Sequence, residues 1–215
     1  MSILQLLKCI LYRLRTPLEC LPNCPDYFKS YRKLLGSGQM IRVEGGWLYK
    51  SKFWADSLFI GGGGNILGDI ALQYCKGNGI DYGAGFWPLP SSIPIDTEQG
   101  PGKLNRLEDI PDSSLDYVFS SHCLEHIRDY EAALIEWVKK IKPGGIMFLY
   151  LPHIEAAIWL PGSPVVGDGH VWSPTYEIVS QILTKMGLEV IAGDPGPDAH
   201  WSFYIVGRKR TEGDI

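Results

Sequence analysis

One stretch of the chain, GNGIDYGAGFWPLPSSIPID at residues 77–96, constrains the fold more than any other. Residues 78–82 predict a short buried strand that runs directly into Gly83, Ala84 and Gly85. Glycine has no Cβ, so a strand that ends in such residues lets a ligand approach the backbone closely. Ligands of open α/β sheets bind at the carboxyl ends of the strands, and the stretch therefore predicts a binding crevice there.

A second short apolar run, Ile93 to Ile95, follows and ends in Asp96. An acidic residue at the end of the next strand is well placed to accept hydrogen bonds from ribose hydroxyls. The two strand ends together indicate a nucleoside-containing ligand. A nicotinamide dinucleotide is disfavoured, because its fingerprint needs a third glycine where Pro88 stands and an acid about twenty residues on. A tight turn that binds nothing is the plainer alternative.

The rest of the chain alternates between strand and helix patterns, which predicts an α/β fold with a mostly parallel sheet covered on both faces. Asn65, Asp129 and Ser173 are predicted helix N-caps, and Pro143 to Gly145 should end the second of these helices. Earlier in the chain, Gly45-Gly46 between alternating apolar runs indicates a hairpin. We expect residues 1–75 to form a helical and hairpin extension packed on the core, residues 76–210 the ligand-binding domain, and residues 211–215 a disordered tail.

Composition narrows the class of protein. The chain has 215 residues, 45% of them hydrophobic, which favours one domain with a sizeable core. Its net charge of −4 disfavours a nucleic-acid partner. Five scattered cysteines make a disulfide framework improbable and favour a reducing, cytoplasmic location. Cys20 and Cys24 resemble half of a zinc site, but no partner pair follows at ligand spacing.

The N-terminal segment MSILQLLKCILYRLR predicts an amphipathic helix that carries Lys8, Arg13 and Arg15. No apolar run is long enough to span a bilayer, and no small-residue cleavage site marks a signal peptide. Such a helix can lie on the inner face of an anionic membrane. Docking on the body of the protein, or on the partner in a homodimer, is the alternative, and both stay open.

Three segments together resemble the class I S-adenosylmethionine-dependent methyltransferases, and most closely their small type 11 branch. They are GIDYGAG, which is similar to the family's glycine-rich motif; Ile93 to Asp96, similar to its acidic ribose motif; and residues 107–145, LEDIPDSSLDYVFSSHCLEHIRDYEAALIEWVKKIKPGG. The resemblance covers residues 77–153, with a looser echo to 208. It implies a Rossmann-like, doubly wound sheet with helices on both faces and an N-terminal helical extension.

The resemblance also implies S-adenosylmethionine as the cofactor and assigns its contacts. Asp81 would orient the glycine loop or meet the methionine amino group, and Asp96 would hold the ribose. Gly83, Ala84 and Gly85 would pass beneath the methionine moiety. Leu104 or Leu107 would lie near the adenine, with Glu108 or Asp109 near its exocyclic nitrogen. Ser120, Ser121 and His122 would border the methyl group. The sequence departs from the family at Trp87, Pro88 and Pro90, which replace the usual helix start and shorten the distance to the second motif.

Three histidines are candidates for a general base, a role for which a pKa near neutrality is suited. His122 directly follows a predicted strand, His153 follows the next, and His170 ends a long loop. His126 is expected to pack behind the site and His200 to be structural. We expect no metal, because no two candidate ligands lie at metal-binding spacing on one element.

These features predict a methyltransferase that acts on a small molecule or saccharide, by O-methylation with His122 or His170 as base and His153 in reserve. Trp159, Trp172 and Tyr176 could form an apolar wall beside the acceptor, or belong to the core. An inactive relative that binds the nucleoside or a protein partner is the alternative. A membrane-surface protein acting through residues 1–15 is a third.

Overall fold

The structure is a computed structural model that describes residues 38–55, 58, 67–85, 87–97, 102, 105–211 and 213. Several predictions fall outside these residues: the N-terminal helix, the Asn65 cap, the contact assigned to Leu104 and most of the C-terminal tail. Among the described residues, no helix has the length and apolar character needed to cross a bilayer.

A small antiparallel sheet precedes the main domain. Its strands are β1 (Ile41–Val43), β2 (Gly46–Tyr49) and β3 (Lys52–Ala55), in that order. The predicted hairpin is confirmed, while the third strand was not foreseen. Trp47 and Trp54 are fully buried, and they pack with Ala156 and Ile158 of the loop that follows the main sheet's longest strand.

The main sheet has six strands: β4 (Gly79–Tyr82), β5 (Ile93–Ile95), β6 (Leu115–Ser121), β7 (Ile141–Pro152), β8 (Leu188–Asp194) and β9 (Ser202–Lys209). Their spatial order is β5-β4-β6-β7-β9-β8. Strand β9 is antiparallel to both of its neighbours, and every other pair is parallel. The mostly parallel sheet is therefore confirmed, and β9 begins at the edge where β7 ends.

Helices cover both faces of this sheet, as predicted. Alternate strand residues point to opposite faces, so Val118 and Met147 meet α2 (Tyr130–Lys140) and α3 (Tyr176–Lys185). Phe119 and Phe148 face the other way and pack with Ala71 of α1 (Gly68–Tyr74). Two buried apolar layers thus sandwich the sheet and hold its carboxyl edge in place.

The helix ends differ in part from the predictions. Asp129 does cap α2, accepting a hydrogen bond from Ala132 N at 3.2 Å. Helix α3 is capped by Thr175 rather than Ser173, and α1 begins at Gly68 without a side-chain cap. Helix α2 ends at Lys140, and Ile141 opens strand β7 instead of lying on the helix face. The residue before a proline is driven to extended backbone, so the chain leaves the helix before it reaches Pro143.

The connection between β4 and β5 is short and carries no helix in its described residues, 83–85 and 87–92. Pro88 and Pro90 account for this, because proline lacks the N–H that a helix interior needs. Leu89 from this connection is 1% exposed and packs in the same apolar layer as α1. A loop therefore occupies the place where a helix would follow the glycine turn.

Candidate functional site

The glycine turn after β4 is tied to the end of β5 by backbone hydrogen bonds. Gly83 N and Ala84 N both donate to Ile95 O, at 2.8 and 3.2 Å. Gly85 N donates to Oδ2 of Asp96 at 2.9 Å. Gly83 and Gly85 have φ of +80° and +50°, a region that side chains rarely adopt. The two motifs that the sequence placed at successive strand ends thus form one connected surface.

Asp81 anchors the same loop from below. Its Oδ2 accepts a hydrogen bond from Leu89 N at 2.7 Å, whereas its Oδ1 is buried without a hydrogen-bond partner among the described residues. The residue is only 2% exposed. Burial raises the pKa of Asp81 to about 7, against the lowering effect of the Leu89 amide, and the nearby charge of Asp96 raises it further. A buried carboxylate oxygen without a donor is a binding position for a ligand's N–H group.

Strand β6 contributes its last residues to this surface. Ser120 is fully buried, and its hydroxyl donates to Tyr82 O at 2.8 Å. Ser121 is half-buried at the strand end, and Cys123 lies directly against Gly83. A Cβ on Gly83 would overlap Cβ of Cys123 and lie 2.5 Å from its Sγ. Glycine at position 83 is therefore required both by its φ and by this close approach. Leu107, assigned to the adenine side, is partly buried in a 3₁₀ turn, Leu107–Asp109, against the main core.

His122 lies where β6 leaves the sheet, with a φ of +46° that is uncommon for a residue with a side chain. Its Nε2 is 2.9 Å from Oγ of Ser202, the first residue of β9. Its Nδ1 is 3.4 Å from Oε1 of Glu125, and the side chain stays 29% exposed. The ring is thus held between a carboxylate on one side and a hydroxyl on the other. The sequence did not predict these two partners of His122. Ser202 lies 80 positions away in the chain, and Glu125 belongs to no recognisable motif.

The other two candidate bases lie in different surroundings. His170 is 4% exposed, with its Nδ1 2.6 Å from Trp159 O and its Nε2 3.7 Å from Oε1 of Glu125. Burial lowers its pKa, opposed by the charge of Glu125. His153 follows β7 as predicted, is half-buried, and accepts from Glu155 N at 3.2 Å through Nδ1. His170 therefore shares the carboxylate of His122, and no described contact links His153 to that group.

Glu125 is the centre of the histidine group, and no pattern in the sequence singles it out. It belongs to a 3₁₀ turn, Leu124–His126, and is 0% exposed. Burial opposes ionisation, yet the adjacent His122, His126 and His170 hold the pKa of this carboxyl below its ordinary value. Burying a carboxylate costs desolvation free energy, which its interaction with nearby imidazoles only partly offsets. Such buried titratable clusters are often found at functional sites.

Two concave regions flank these residues at the carboxyl edge. A cavity of about 210 Å³ lies between the start of α1 and the start of β9, and its lining combines apolar and polar groups: Leu67, Ile70, Asp194, Asp198, His200, Ser202, Phe203 and Tyr204 among others. A shallower one is lined by Pro152, His153, Trp159 and Trp172. Trp172 also stacks on Tyr130 with ring centroids 3.9 Å apart, and Tyr176 packs against Phe203. Two of the three predicted wall aromatics thus face a concave surface.

Comparisons with known proteins agree with this geometry. Residues 61–149 match the family model described as a methyltransferase domain, of type 11. No curated protein sequence matches the chain. Among solved structures, the Burkholderia thailandensis 1,6-didemethyltoxoflavin-N1-methyltransferase, with bound 1,6-didemethyltoxoflavin and S-adenosylhomocysteine, is 13% identical. It covers 91% of this chain and 95% of its own, with a TM-score of 0.54. A putative methyltransferase in complex with the Haloferax volcanii Trm112 activator is 16% identical, covers 67% of this chain and 88% of its own, and has a TM-score of 0.50.

Residues 61–149 thus match a type 11 methyltransferase domain, and the chain has the Rossmann-like fold of the class I S-adenosylmethionine-dependent methyltransferases. It is a methyltransferase with S-adenosylmethionine as its cofactor, as the sequence predicted. The site's own chemistry fits this cofactor. The unpartnered Oδ1 of Asp81 suits a cationic amino group, and the bare backbone at Gly85 admits a ligand at van der Waals distance.

Proposed function

We propose that the protein transfers a methyl group to a hydroxyl oxygen of a small molecule or saccharide, with His122 as general base. The observation that carries this is the distance of 2.9 Å between His122 Nε2 and the hydroxyl of Ser202, a residue that lines the 210 Å³ cavity. Nδ1 faces the Glu125 carboxylate, which favours a proton on that nitrogen and leaves the Nε2 lone pair for the acceptor side.

The cofactor-binding residues are proposed from the same geometry. Asp81 would hold the amino group and Asp96 the ribose, while Gly83, Ala84 and Gly85 pass beneath the methionine moiety. Leu107 would border the adenine, and Ser120 and Ser121 the methyl end. S-adenosylmethionine supplies an already activated methyl group, so the protein's work is alignment and removal of the acceptor's proton.

His122 is favoured over the other two candidates by its exposure and its partners. A base must reach the acceptor's proton directly or through one bridging group. His122 is partly exposed and has Ser202 as a bridge into the cavity, whereas His170 is 4% exposed and bound to a backbone carbonyl. His153 has no described contact to a carboxylate that would orient it.

The acceptor is proposed to enter the cavity beside Ser202. Its volume of about 210 Å³ is below the ~300–1,000 Å³ usual for drug-sized ligands, so it suits one sugar ring or a group of that size. Two carboxylates, Asp194 and Asp198, and the aromatic ring of Tyr204 line it. Carboxylate oxygens can accept hydrogen bonds from the hydroxyl groups of a sugar, and an aromatic ring can pack against its carbon face. The B. thailandensis relative was solved with a small molecule of its own, 1,6-didemethyltoxoflavin.

The test is methyl transfer from S-adenosylmethionine to a panel of free monosaccharides and small phenols, followed as S-adenosylhomocysteine release. Once an acceptor is found, His122→Ala should lower kcat by about 10²–10⁴-fold. Affinity for S-adenosylhomocysteine should stay within about twofold, since His122 would border the methyl group, which S-adenosylhomocysteine lacks. His153→Ala is the matched control and should retain turnover.

Equal losses in the His122 and His153 variants, or turnover preserved in His122→Ala, would show that His122 is not the base. Binding of S-adenosylhomocysteine without transfer to any member of the panel would instead favour the inactive relative. The complete set of Asp81, Gly83, Gly85 and Asp96 contacts argues against that alternative.

A further inference from the structure

Glu125 presents two carboxylate oxygens that have no hydrogen-bond partner among the described residues, although the side chain is wholly buried. Leaving a buried charged oxygen without a donor is costly, and such a group usually has a partner. The nearest polar atoms are imidazole nitrogens, at 3.4 Å from His122 and 3.7 Å from His170. The 3.7 Å separation from His170 is too long for a hydrogen bond, and the 3.4 Å separation from His122 allows at most a weak one, so the carboxylate has no close donor among these rings.

The hydrogen bonds of the two neighbouring rings decide where their lone pairs lie. Nδ1 of His170 is 2.6 Å from Trp159 O, and Nδ1 of His126 is 2.8 Å from Gly169 O. A carbonyl oxygen only accepts, so each Nδ1 carries the hydrogen and each neutral ring has its lone pair on Nε2. In His170 that Nε2 is the atom that faces Glu125. A lone pair and a carboxylate oxygen therefore face each other across a gap that a cation would bridge.

This arrangement matches the surroundings of metal-ligating histidines, which almost always donate their other ring N–H to a carbonyl or carboxylate. One donor atom each from Glu125, His126 and His170 lies within 4.8 Å of the other two. Ligands bound to one Zn²⁺ at about 2.1 Å lie roughly 3.4 Å apart, so closure requires shifts of about 1 Å. The ring of His126 is exposed, so it can supply such a shift while its Nδ1 stays beside Gly169 O.

We propose that Glu125, His126 and His170 form a binding site for a divalent transition-metal ion, with Zn²⁺ as the best fit. Two imidazoles and one carboxylate suit this class of ion, whereas Mg²⁺ and Ca²⁺ prefer oxygen ligands only. Three protein ligands with one on an exposed ring leave a coordination position that solvent can reach. The proposal concerns metal binding alone and does not depend on the acceptor or on the identity of the base.

The sequence argued against a metal because no single element carries two ligands at suitable spacing. The structure brings His170 from the loop before α3 against the Glu125-His126 pair that follows β6. The rings of His126 and His170 are 4.5 Å apart at their centroids and nearly perpendicular. The ligand set is therefore assembled by the fold from two distant segments.

The experiment uses the full chain with Cys20→Ser and Cys24→Ser, so that zinc held by those thiols is not counted. Metal-free protein is titrated with ZnCl₂ by calorimetry, and metal content is measured after equilibrium dialysis. We expect one Zn²⁺ per chain, and a loss of affinity of at least about 10–100-fold in His126→Ala. His126 is exposed, so this variant should fold; His153→Ala is the control and should bind as the parent does.

Replacing the buried ligands Glu125 and His170 could disturb folding, so a second measurement identifies the ligand types by spectroscopy. Co²⁺ is added in place of Zn²⁺, and its visible absorption is compared between the parent and His126→Gln, which keeps the size of the side chain. Nitrogen and oxygen ligands predict a d–d band without the near-ultraviolet charge-transfer band of thiolates. Absence of bound metal, or equal binding in the parent and both His126 variants, would overturn the proposal.

Discussion

The two halves of the carboxyl edge are held together in opposite ways. In the half formed by β4 and β5, each carboxylate accepts a backbone amide hydrogen bond on one oxygen, from Gly85 N to Asp96 and from Leu89 N to Asp81. In the half formed by β6, β7 and β9, the Glu125 carboxylate lies 3.4 Å from His122 and 3.7 Å from His170, and no closer donor faces it among the described residues. We expect the first half to hold the cofactor and the second to take part in methyl transfer or metal binding.

The contrast separates binding from chemistry. Changes in the β4–β5 half should alter cofactor affinity and the stability of the ligand-free protein. Changes in the histidine half should alter turnover or metal binding and leave cofactor affinity nearly unchanged. Each of the following predictions tests whether this division holds.

The largest effect is expected from the protonation of Asp81. Its pKa is raised from 3.8 to about 7 in the folded protein, so the folded state keeps a proton that the unfolded state releases. The free energy of unfolding should therefore fall as pH rises from about 4 to 7, by roughly 4 kcal/mol in total. Asp81→Asn should lack this slope and be more stable than the parent at pH 8, which urea unfolding at several pH values will measure.

The same variant checks the functional side of the division. Asn at position 81 lacks the negative charge that would pair with a cationic amino group, so affinity for S-adenosylhomocysteine should fall by about 10–100-fold. Identical unfolding curves for the parent and Asp81→Asn across this pH range would show that Asp81 is not the group that titrates.

Gly83→Ala should cost about 3 kcal/mol of stability. Part of this is the backbone, since φ of +80° costs an ordinary residue about 1–2 kcal/mol, and the rest is the overlap with Cys123. Adding Cys123→Gly should recover only the second part. Thermal unfolding of the two single variants and the double variant measures this coupling, and purely additive effects would refute the predicted contact.

Asp96→Asn should weaken binding of S-adenosylhomocysteine by about tenfold, because it removes the charge that Gly85 N and the ribose would share. Turnover at saturating cofactor should change little. His122→Gln should do the reverse, and calorimetry with steady-state kinetics on both variants tests the division directly. If Asp96→Asn lowered kcat as strongly as His122→Gln, the two halves would not be separable.

The smallest effect is expected from Tyr150→Phe. The Tyr150 hydroxyl donates to Oδ2 of Asp198 at 2.8 Å, and Asp198 in turn accepts from Ser202 N at 3.0 Å. Loss of one such bond should cost about 1 kcal/mol and loosen Ser202 beside His122. A modest rise in KM for the acceptor, with unchanged cofactor affinity, is the expected kinetic result.

The sequence predicted the geometry of the β4–β5 half well, because that half is local. Asp81, the glycine turn and Asp96 lie within sixteen residues, so strand ends and glycines alone place them side by side. The alternation of apolar residues likewise predicted β6, α2 and the core of β7. The helix ends were less accurate, since single backbone preferences such as the one imposed by Pro143 shift them by a few residues.

The histidine half could not be predicted in the same way. Ser202 meets His122 across 80 positions of sequence, and His170 meets Glu125 across the loop that precedes α3. These contacts depend on the strand order and on the reversal of β9, neither of which periodicity reveals. Glu125 carries no local mark of its burial, because the pattern Leu-Glu-His is equally typical of an exposed turn.

The reversal of β9 also has a consequence for biosynthesis. Residues 79–96 leave the ribosome long before Ser202. The proposed cofactor surface can therefore form before the Ser202 hydroxyl is present beside His122. Insertion of the final strand between β7 and β8 is the step that completes the sheet. A nascent chain stalled before residue 202 should thus capture S-adenosylhomocysteine yet be catalytically silent.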